Sequence, residues 1–139
     1  HHDARHCFVR DLKQAGYTTA FMGKYLNAYR AYSPVPPGWD VWDGVDRGGY
    51  QEYNYNTNPN GVDLHFGSAP GDYLTQDLST NADNFISTAA TQPHPFFLEV
   101  ATFAPHAPYV PSVEYRLSCL SSVRPSWPKF GAFGRSSRL

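Results

Sequence analysis

Long apolar runs, paired cysteines and the common catalytic signatures are all missing from this chain of 139 residues. No apolar run approaches the roughly 18 residues that a membrane-spanning helix requires, so we predict no membrane span. The two cysteines, Cys7 and Cys119, form no CxxC pair, which argues against a zinc knuckle or a thioredoxin-type site and favours two free thiols over a disulfide. A glycine-rich phosphate loop, a GxSxG elbow and an HExxH motif are also absent.

Acidic residues are missing from the end of the chain. All twelve Asp and Glu lie within residues 1–115, whereas residues 116–139 hold five Lys or Arg. These basic residues are scattered among Ser, Pro and aromatic residues, so we predict no nucleic-acid binding. We therefore divide the chain into a globular domain, residues 1–115, and a divergent basic tail, residues 116–139. The tail is either disordered or translated from a shifted reading frame, and the sequence does not choose between these.

The sequence of the first part of the domain predicts a helix followed by a strand. Apolar residues at helical spacing predict a helix over about residues 5–15, which Gly16 ends. The β-forming run from Tyr17 to Met22 predicts a strand that ends at Gly23. Residues 27–71 then look irregular, apart from a small hairpin. Its strands are residues 53–57 and 62–64, around the Asn-Pro-Asn-Gly turn.

A second helix and strand complete the pattern. The spacing from Leu74 to Ala89 predicts an amphipathic helix with Asp72 as its N-cap. The apolar run from Phe96 to Phe103 is typical of a strand covered on both faces. Alternating helices and strands predict an α/β fold with helices packed on a mostly parallel sheet. Two such strands are too few, and the chain lacks an initiator Met, so we expect a segment of a larger protein.

Lys24 and His106 each follow one of the two main strands. Because ligands bind at the carboxyl edge of parallel sheets, we expect both side chains to point into a common pocket. The ammonium would neutralise a sulfate or phosphate oxygen, and the imidazole would donate a proton to a leaving alcohol. A solvated lysine and a histidine packed in a turn are the alternatives that remain open.

Two other clusters have weaker interpretations. Asp40, Asp43 and Asp46 are spaced by three, but the ligand pattern of a calcium loop is absent, so a solvated acidic turn is favoured. The nearby aromatic residues could stack on a sugar ring, although packing within the loop is favoured. They are Trp39, Trp42, Tyr50, Tyr53 and Tyr55.

Several stretches resemble sulfatases. Residues 12–27, LKQAGYTTAFMGKYLN, resemble the segment that leads into the active-site lysine of that family. The GKYLN form, followed by PPGWD at residues 36–40, is similar to the N-acetylglucosamine-6-sulfatase and heparan endosulfatase branch. The resemblance covers residues 8–115 in the family's order, with further matches at NG (60–61), DYLTQD (72–77), PFFL (95–98) and APHAP (104–108).

This resemblance implies an alkaline-phosphatase-like α/β fold and hydrolysis of sulfate esters, with glycosaminoglycan-type sulfated sugars as partners. In the family the nucleophile is a formylglycine made from a Cys/Ser-x-Pro-x-Arg motif, and a calcium ion polarises the sulfate. By position, Lys24 matches the lysine that contacts the sulfate, and His106 matches the histidine near the ester oxygen. Asn27 falls near the position at which other branches of the family have a second His, and we assign it to substrate binding. Family habit also implies a secreted, periplasmic or lysosomal location.

The departures from the family pattern are as informative. Cys7 is followed by Phe-Val-Arg, which is not the nucleophile motif. The calcium-binding aspartates, the Asp-Asn pair and the second lysine are absent, so we assign no metal ligand in this chain. We expect an internal slice of a sulfatase domain that is inactive alone. The alternatives are a phosphatase or phosphonate hydrolase of the same superfamily, a non-catalytic carbohydrate-binding fragment and a truncated, poorly folding product.

Overall fold

The computed structural model describes residues 8–116. Both cysteines and the predicted tail beyond residue 116 lie outside this range, so the division at residue 115 stays a prediction. The described part contains the helices α1 (Phe8–Gln14) and α2 (Leu74–Ala89), the 3-10 helices Arg47–Gln51 and Pro70–Asp72, and the strands β1 (Thr18–Lys24), β2 (Val41–Val45), β3 (Tyr55–Pro59), β4 (Leu64–Phe66) and β5 (Phe96–Ala101).

The five strands form one mixed sheet in the order β4-β3-β2-β1-β5. β1 lies between β2 and β5 and pairs in parallel with both, whereas β2, β3 and β4 pair in antiparallel order. The predicted α/β fold and the parallel pairing of the two apolar runs are therefore confirmed. No helix within residues 8–116 is both long enough and apolar enough to cross a bilayer.

The two faces of the sheet have different cores. Because neighbouring residues of a strand point to opposite faces, Met22 faces α2 while Phe21 faces away from it. The α2 face buries Met22, Val45, Tyr55, Leu74, Leu78, Ala82 and Phe103. The opposite face is aromatic, with Phe21, Tyr29 and Trp42 at its centre. The predicted packing role is thus correct for Trp42 and Tyr55, which are fully buried.

The prediction that residues 27–71 are irregular is wrong for β2. This strand has only five residues, and two of them are Asp43 and Gly44, so neither a simple alternation nor an apolar run was visible. The predicted hairpin exists as β3 and β4, shifted by about two residues along the chain.

Gly23 does not end β1 as predicted but lies inside it. The strand continues to Lys24, and Gly23 pairs with Ala101 of β5. Its φ of +105° favours glycine, and a Cβ at this position would collide with the carbonyl group of Ala101. Glycine is therefore required here by the close approach of β5, directly before the lysine of interest.

The prediction that Asp72 caps α2 is also wrong. Asp72 belongs to the preceding 3-10 turn, and its carboxylate accepts a hydrogen bond from the N–H of Ala69 at 2.9 Å. The carboxylate of Glu52 takes the capping place, since it accepts from the N–H of Thr75 at 3.0 Å and from its hydroxyl at 2.7 Å. The cap therefore comes from a distant segment instead of the neighbouring residue.

The expectation that both faces of β5 are covered is not met. β5 is an edge strand, and Phe96 and Val100 remain 36% and 40% exposed. Phe96 contacts Phe85 of α2, and Phe97 contacts Phe8 of α1 on the other side. Within the described range no strand pairs with the outer edge of β5. Some of its apolar side chains therefore stay exposed in this structure.

Candidate active site

A cavity of about 350 Å³ lies at the carboxyl ends of β1 and β2. Parallel pairing brings Lys24, the last residue of β1, beside Val45, the last residue of β2. The segments that follow these strands then form the walls. The lining residues are Lys24, Leu26, Asn27, Ala28, Val45, Asp46, Arg47, Tyr50 and Phe103. Two of the three candidate site residues, Lys24 and Asn27, therefore share one cavity.

The ammonium of Lys24 lies over aromatic rings. Its Nζ is 4.8 Å from the ring centre of Tyr50 and 5.8 Å from that of Phe103. Because ring faces carry partial negative charge, these contacts hold the cation in place. No carboxylate within residues 8–116 forms an ion pair with Lys24. The cation is thus positioned but remains available for an anion.

His106 contacts Tyr50, the same residue that contacts Lys24. Its ring centre lies 4.8 Å from that of Tyr50. Its Nδ1 is 2.8 Å from the carbonyl oxygen of Ala107, and since a carbonyl can only accept, Nδ1 carries a proton. Nε2 is then the nitrogen that can exchange a proton with a ligand.

Lys24 and His106 line different cavities, although both contact Tyr50. The second cavity has a volume of about 220 Å³ and is lined by Glu52 and the loop from Ala104 to Pro111, which includes His106. The two residues therefore do not share the cavity expected from the sequence; they meet at one aromatic ring, with Asn27 on the Lys24 side only.

Arg47 is a functional candidate that the sequence did not single out, and Tyr50 was considered there only for stacking on a sugar ring. Both lie on the 3-10 helix that follows β2. Asp46 caps this helix, because its Oδ1 accepts from the N–H of Gly48 at 2.8 Å and from the N–H of Asn56 at 3.2 Å. An Asp followed closely by two glycines was the sequence signal for a tight capped turn.

The interpretation of the three aspartates as a solvated acidic turn is wrong. Asp43 is only 7% exposed and faces α2, where its carboxylate accepts hydrogen bonds from the hydroxyl of Thr57 and, at 3.3 Å, from Nδ2 of Asn81. Burial, together with the negative charge of Asp77, raises the pKa of Asp43 to about 6. Asp40 instead pairs with Lys13 at 2.6 Å. Each aspartate therefore has a separate structural role.

The described residues supply no calcium site. In residues 8–116 no group of three or more His, Cys, Asp or Glu side chains could hold a metal ion. Asp46 is the carboxylate in the lining of the Lys24 cavity, and its Oδ1 is already engaged by two backbone N–H groups. A calcium ion would need oxygen ligands from elsewhere.

Comparisons with known proteins point to one family. The sulfatase family model matches residues 2–119. The chain is 43% identical over 110 residues to a putative extracellular sulfatase Sulf-1 homolog of Caenorhabditis elegans, covering 75% of this chain and 15% of that protein. It is 33% identical over 125 residues to human N-acetylglucosamine-6-sulfatase, covering 86% of this chain and 22% of that protein. The chain thus spans less than a quarter of these relatives.

Solved structures share the fold. One, determined in complex with its substrate D-glucosamine-2-N,6-O-disulfate, superposes with a TM-score of 0.66 at 23% identity, over 85% of this chain and 22% of that one. Another, determined in complex with k-i-k-neocarrahexaose, superposes with a TM-score of 0.63 at 22% identity, over 85% of this chain and 30% of that one. These likenesses agree with the alkaline-phosphatase-like α/β fold that the sequence resemblance implied.

Proposed function

Since the chain belongs to the sulfatase family, we propose that it forms part of a sulfatase acting on sulfated sugars, with Lys24, His106 and Asn27 contacting the substrate. The curated relatives named above are sulfatases, which favours a sulfate over a phosphate ester. Because the chain spans only 15% and 22% of those two proteins, the activity belongs to the whole protein. In this proposal residues 1–115 are a partial sulfatase domain.

The observation that carries the proposal is the position of Lys24. Its ammonium lies in a cavity at the carboxyl edge of the sheet, over two aromatic rings and without a carboxylate partner in the described chain. A fixed cation in such a cavity stabilises the negative charge on the oxygens of a transferring sulfuryl group. The amide of Asn27, in the same cavity lining, would donate a further hydrogen bond to the ligand.

His106 would act on the alcohol that leaves. When the S–O bond of the ester breaks, the bonding electrons remain on the sugar oxygen, which then needs a proton. Nδ1 keeps its own proton for the carbonyl of Ala107, so Nε2 of a doubly protonated His106 would donate the second proton to that oxygen. Tyr50, in contact with both side chains, would fix the position of the imidazole relative to the ammonium.

Two parts of the reaction are assigned to no residue of this chain. The sequence has no Cys/Ser-x-Pro-x-Arg motif from which a formylglycine could be made. Membership of the family is consistent with calcium use by the whole protein, but the described residues form no site for it. We therefore propose that the isolated chain binds a sulfated sugar without hydrolysing it.

Binding of N-acetylglucosamine 6-sulfate to the 139-residue chain tests the proposal. Two-dimensional NMR or calorimetry would compare the parent chain with Lys24→Gln. We expect about tenfold weaker binding in the variant, because a hydrogen bond to a charged group contributes roughly 1.5 kcal/mol. Lys13→Gln is the matched control, since Lys13 pairs with Asp40 and lines neither cavity.

Unsulfated N-acetylglucosamine is the ligand control. The parent chain should bind it much more weakly than the sulfated sugar. Equal affinity for the two sugars, or equal affinity of the parent and Lys24→Gln for the sulfated one, would contradict the proposed role of Lys24.

A further inference from the structure

Arg47 is a second cation in the cavity that contains Lys24. It begins the 3-10 helix after β2, and its side chain is exposed. No carboxylate in the described range forms an ion pair with it. Asp46 also lines the cavity, but its Oδ1 is held by the N–H groups of Gly48 and Asn56. The cavity therefore contains two cations and one carboxylate, so its lining keeps a net positive charge.

The two cations lie at different depths. Lys24 is half-buried against the rings of Tyr50 and Phe103, whereas Arg47 is exposed at the opening. The cavity volume of about 350 Å³ falls within the range of small-molecule sites, about 300–1,000 Å³. A single sulfate ion, with one sulfur and four oxygen atoms, would leave much of this space empty. The cavity suits a sugar-sized ligand with charge at more than one point.

We propose that Arg47 binds a second sulfate group of the same sugar, separate from the ester sulfate that Lys24 contacts. The inference rests on the proposed function and deepens it, because it makes the site selective for doubly sulfated sugars. Arginine suits this task, since its planar guanidinium offers two parallel N–H donors to the oxygens of one anionic group. Its position at the opening leaves the inner part of the cavity to the sugar and the first sulfate.

Two sugars that differ only in the group on the glucosamine nitrogen, sulfate in one and acetyl in the other, test the proposal. Affinities of the 139-residue chain for glucosamine 2-N,6-O-disulfate and for N-acetylglucosamine 6-sulfate would be measured by NMR titration at constant ionic strength. The variant Arg47→Gln should bind the disulfated sugar about five- to tenfold more weakly, as expected for one lost charge-assisted contact. Its affinity for the monosulfated sugar should change less than twofold. Arg30→Gln is the matched control, because Arg30 is exposed and lies outside both cavity linings.

The outcomes separate this inference from the proposed function. If Arg47→Gln weakens both sugars equally, the two cations share one sulfate or attract anions without specificity, and the second subsite is refuted. Unchanged affinity of Arg47→Gln for the disulfated sugar refutes it as well. The proposed function is judged by Lys24→Gln instead, which should weaken binding of both sugars. A Lys24→Gln variant that binds both sugars normally would overturn the proposed function, whatever the result at Arg47.

Discussion

Ionisation of Asp43 opposes folding, and the substitution Asp43→Asn should remove that penalty. The carboxylate lies between the sheet and α2, only 7% exposed. Its partners are the hydroxyl of Thr57 and the amide of Asn81, both neutral, and the nearest charge that acts on it is the carboxylate of Asp77. No cation within residues 8–116 compensates the charge, so burial disfavours the ionised form.

The size and sign of the effect follow from the pKa. In the folded chain the pKa of Asp43 is about 6, against an ordinary value of 3.8 that applies in the unfolded chain. The folded state therefore holds the proton more tightly, and stability is greatest below pH 3.8 and falls as the pH rises through 6. The whole difference is about 3 kcal/mol, of which about 1 kcal/mol lies between pH 5 and pH 7.

Urea unfolding followed by circular dichroism would measure this directly. The parent chain and Asp43→Asn would be compared at pH 5, 6 and 7. In the variant, the new amide oxygen still accepts from Nδ2 of Asn81, which also contacts Asp77, and the new amide group can donate to the hydroxyl of Thr57. The variant should be the more stable protein at pH 7, and its advantage should shrink by about 1 kcal/mol at pH 5.

The comparison between the two proteins isolates Asp43. Burial also raises the pKa of Asp77, which contributes to the pH dependence with the same sign in both proteins. That contribution cancels in the difference to a first approximation. A stability difference that stays constant from pH 5 to pH 7 would show that Asp43 is ionised without penalty, and the reasoning from burial would be refuted.

Two further predictions concern the α2 cap and the chemistry of the isolated chain. Glu52→Gln should lower the free energy of unfolding at pH 7 by about 1–2 kcal/mol, because the cap on Thr75 loses its charge, while the exposed Glu114→Gln should not. Urea unfolding measures both, and equal stability of Glu52→Gln and the parent would contradict the capping role. The purified chain should release no nitrophenol from para-nitrophenyl sulfate, with or without added calcium, since it lacks the nucleophile motif. Calcium-dependent turnover above the buffer rate would contradict this.

The elements with long, regular patterns were predictable from the sequence. α2 has sixteen residues with apolar positions at helical spacing, and β1 and β5 are the main β-forming runs. β2 was missed because its burial depends on partners far away in sequence. Asp43 can be buried only because Thr57 and Asn81 hydrogen-bond it, and no local pattern reveals those partners.

The failure to predict β2 also explains which site residues were predictable. Lys24 and His106 could be proposed because each follows a strand that the sequence revealed. Arg47 and Tyr50 follow β2, so without that strand nothing placed them at the carboxyl edge of the sheet. Glu52 was missed as a cap for a related reason, since capping signals are sought beside a helix and this one lies more than twenty residues earlier.

The start of α2 supports both segments that carry the candidate site. On one side, Glu52 binds it twice, through its carboxylate to Thr75 and through its carbonyl, which accepts from the N–H of Leu74 at 3.0 Å. On the other side, the hydroxyl of Tyr73 donates to the carbonyl of Val110 at 2.9 Å. The first contact fixes the end of the 3-10 helix that carries Arg47 and Tyr50, and the second fixes the loop that carries His106.

These contacts explain how two loops can hold a constant geometry at the sheet edge. Loop residues are ordinarily more mobile than the strands that precede them. Here Tyr50 can contact Lys24 and His106 together only if its helix and the His106 loop keep one relative position. Both segments are hydrogen-bonded to residues 73–75, at the start of α2. A shift of this end of the helix therefore moves the two segments together. The relative position of the Lys24 ammonium and the His106 imidazole therefore depends on α2 as much as on β1 and β5.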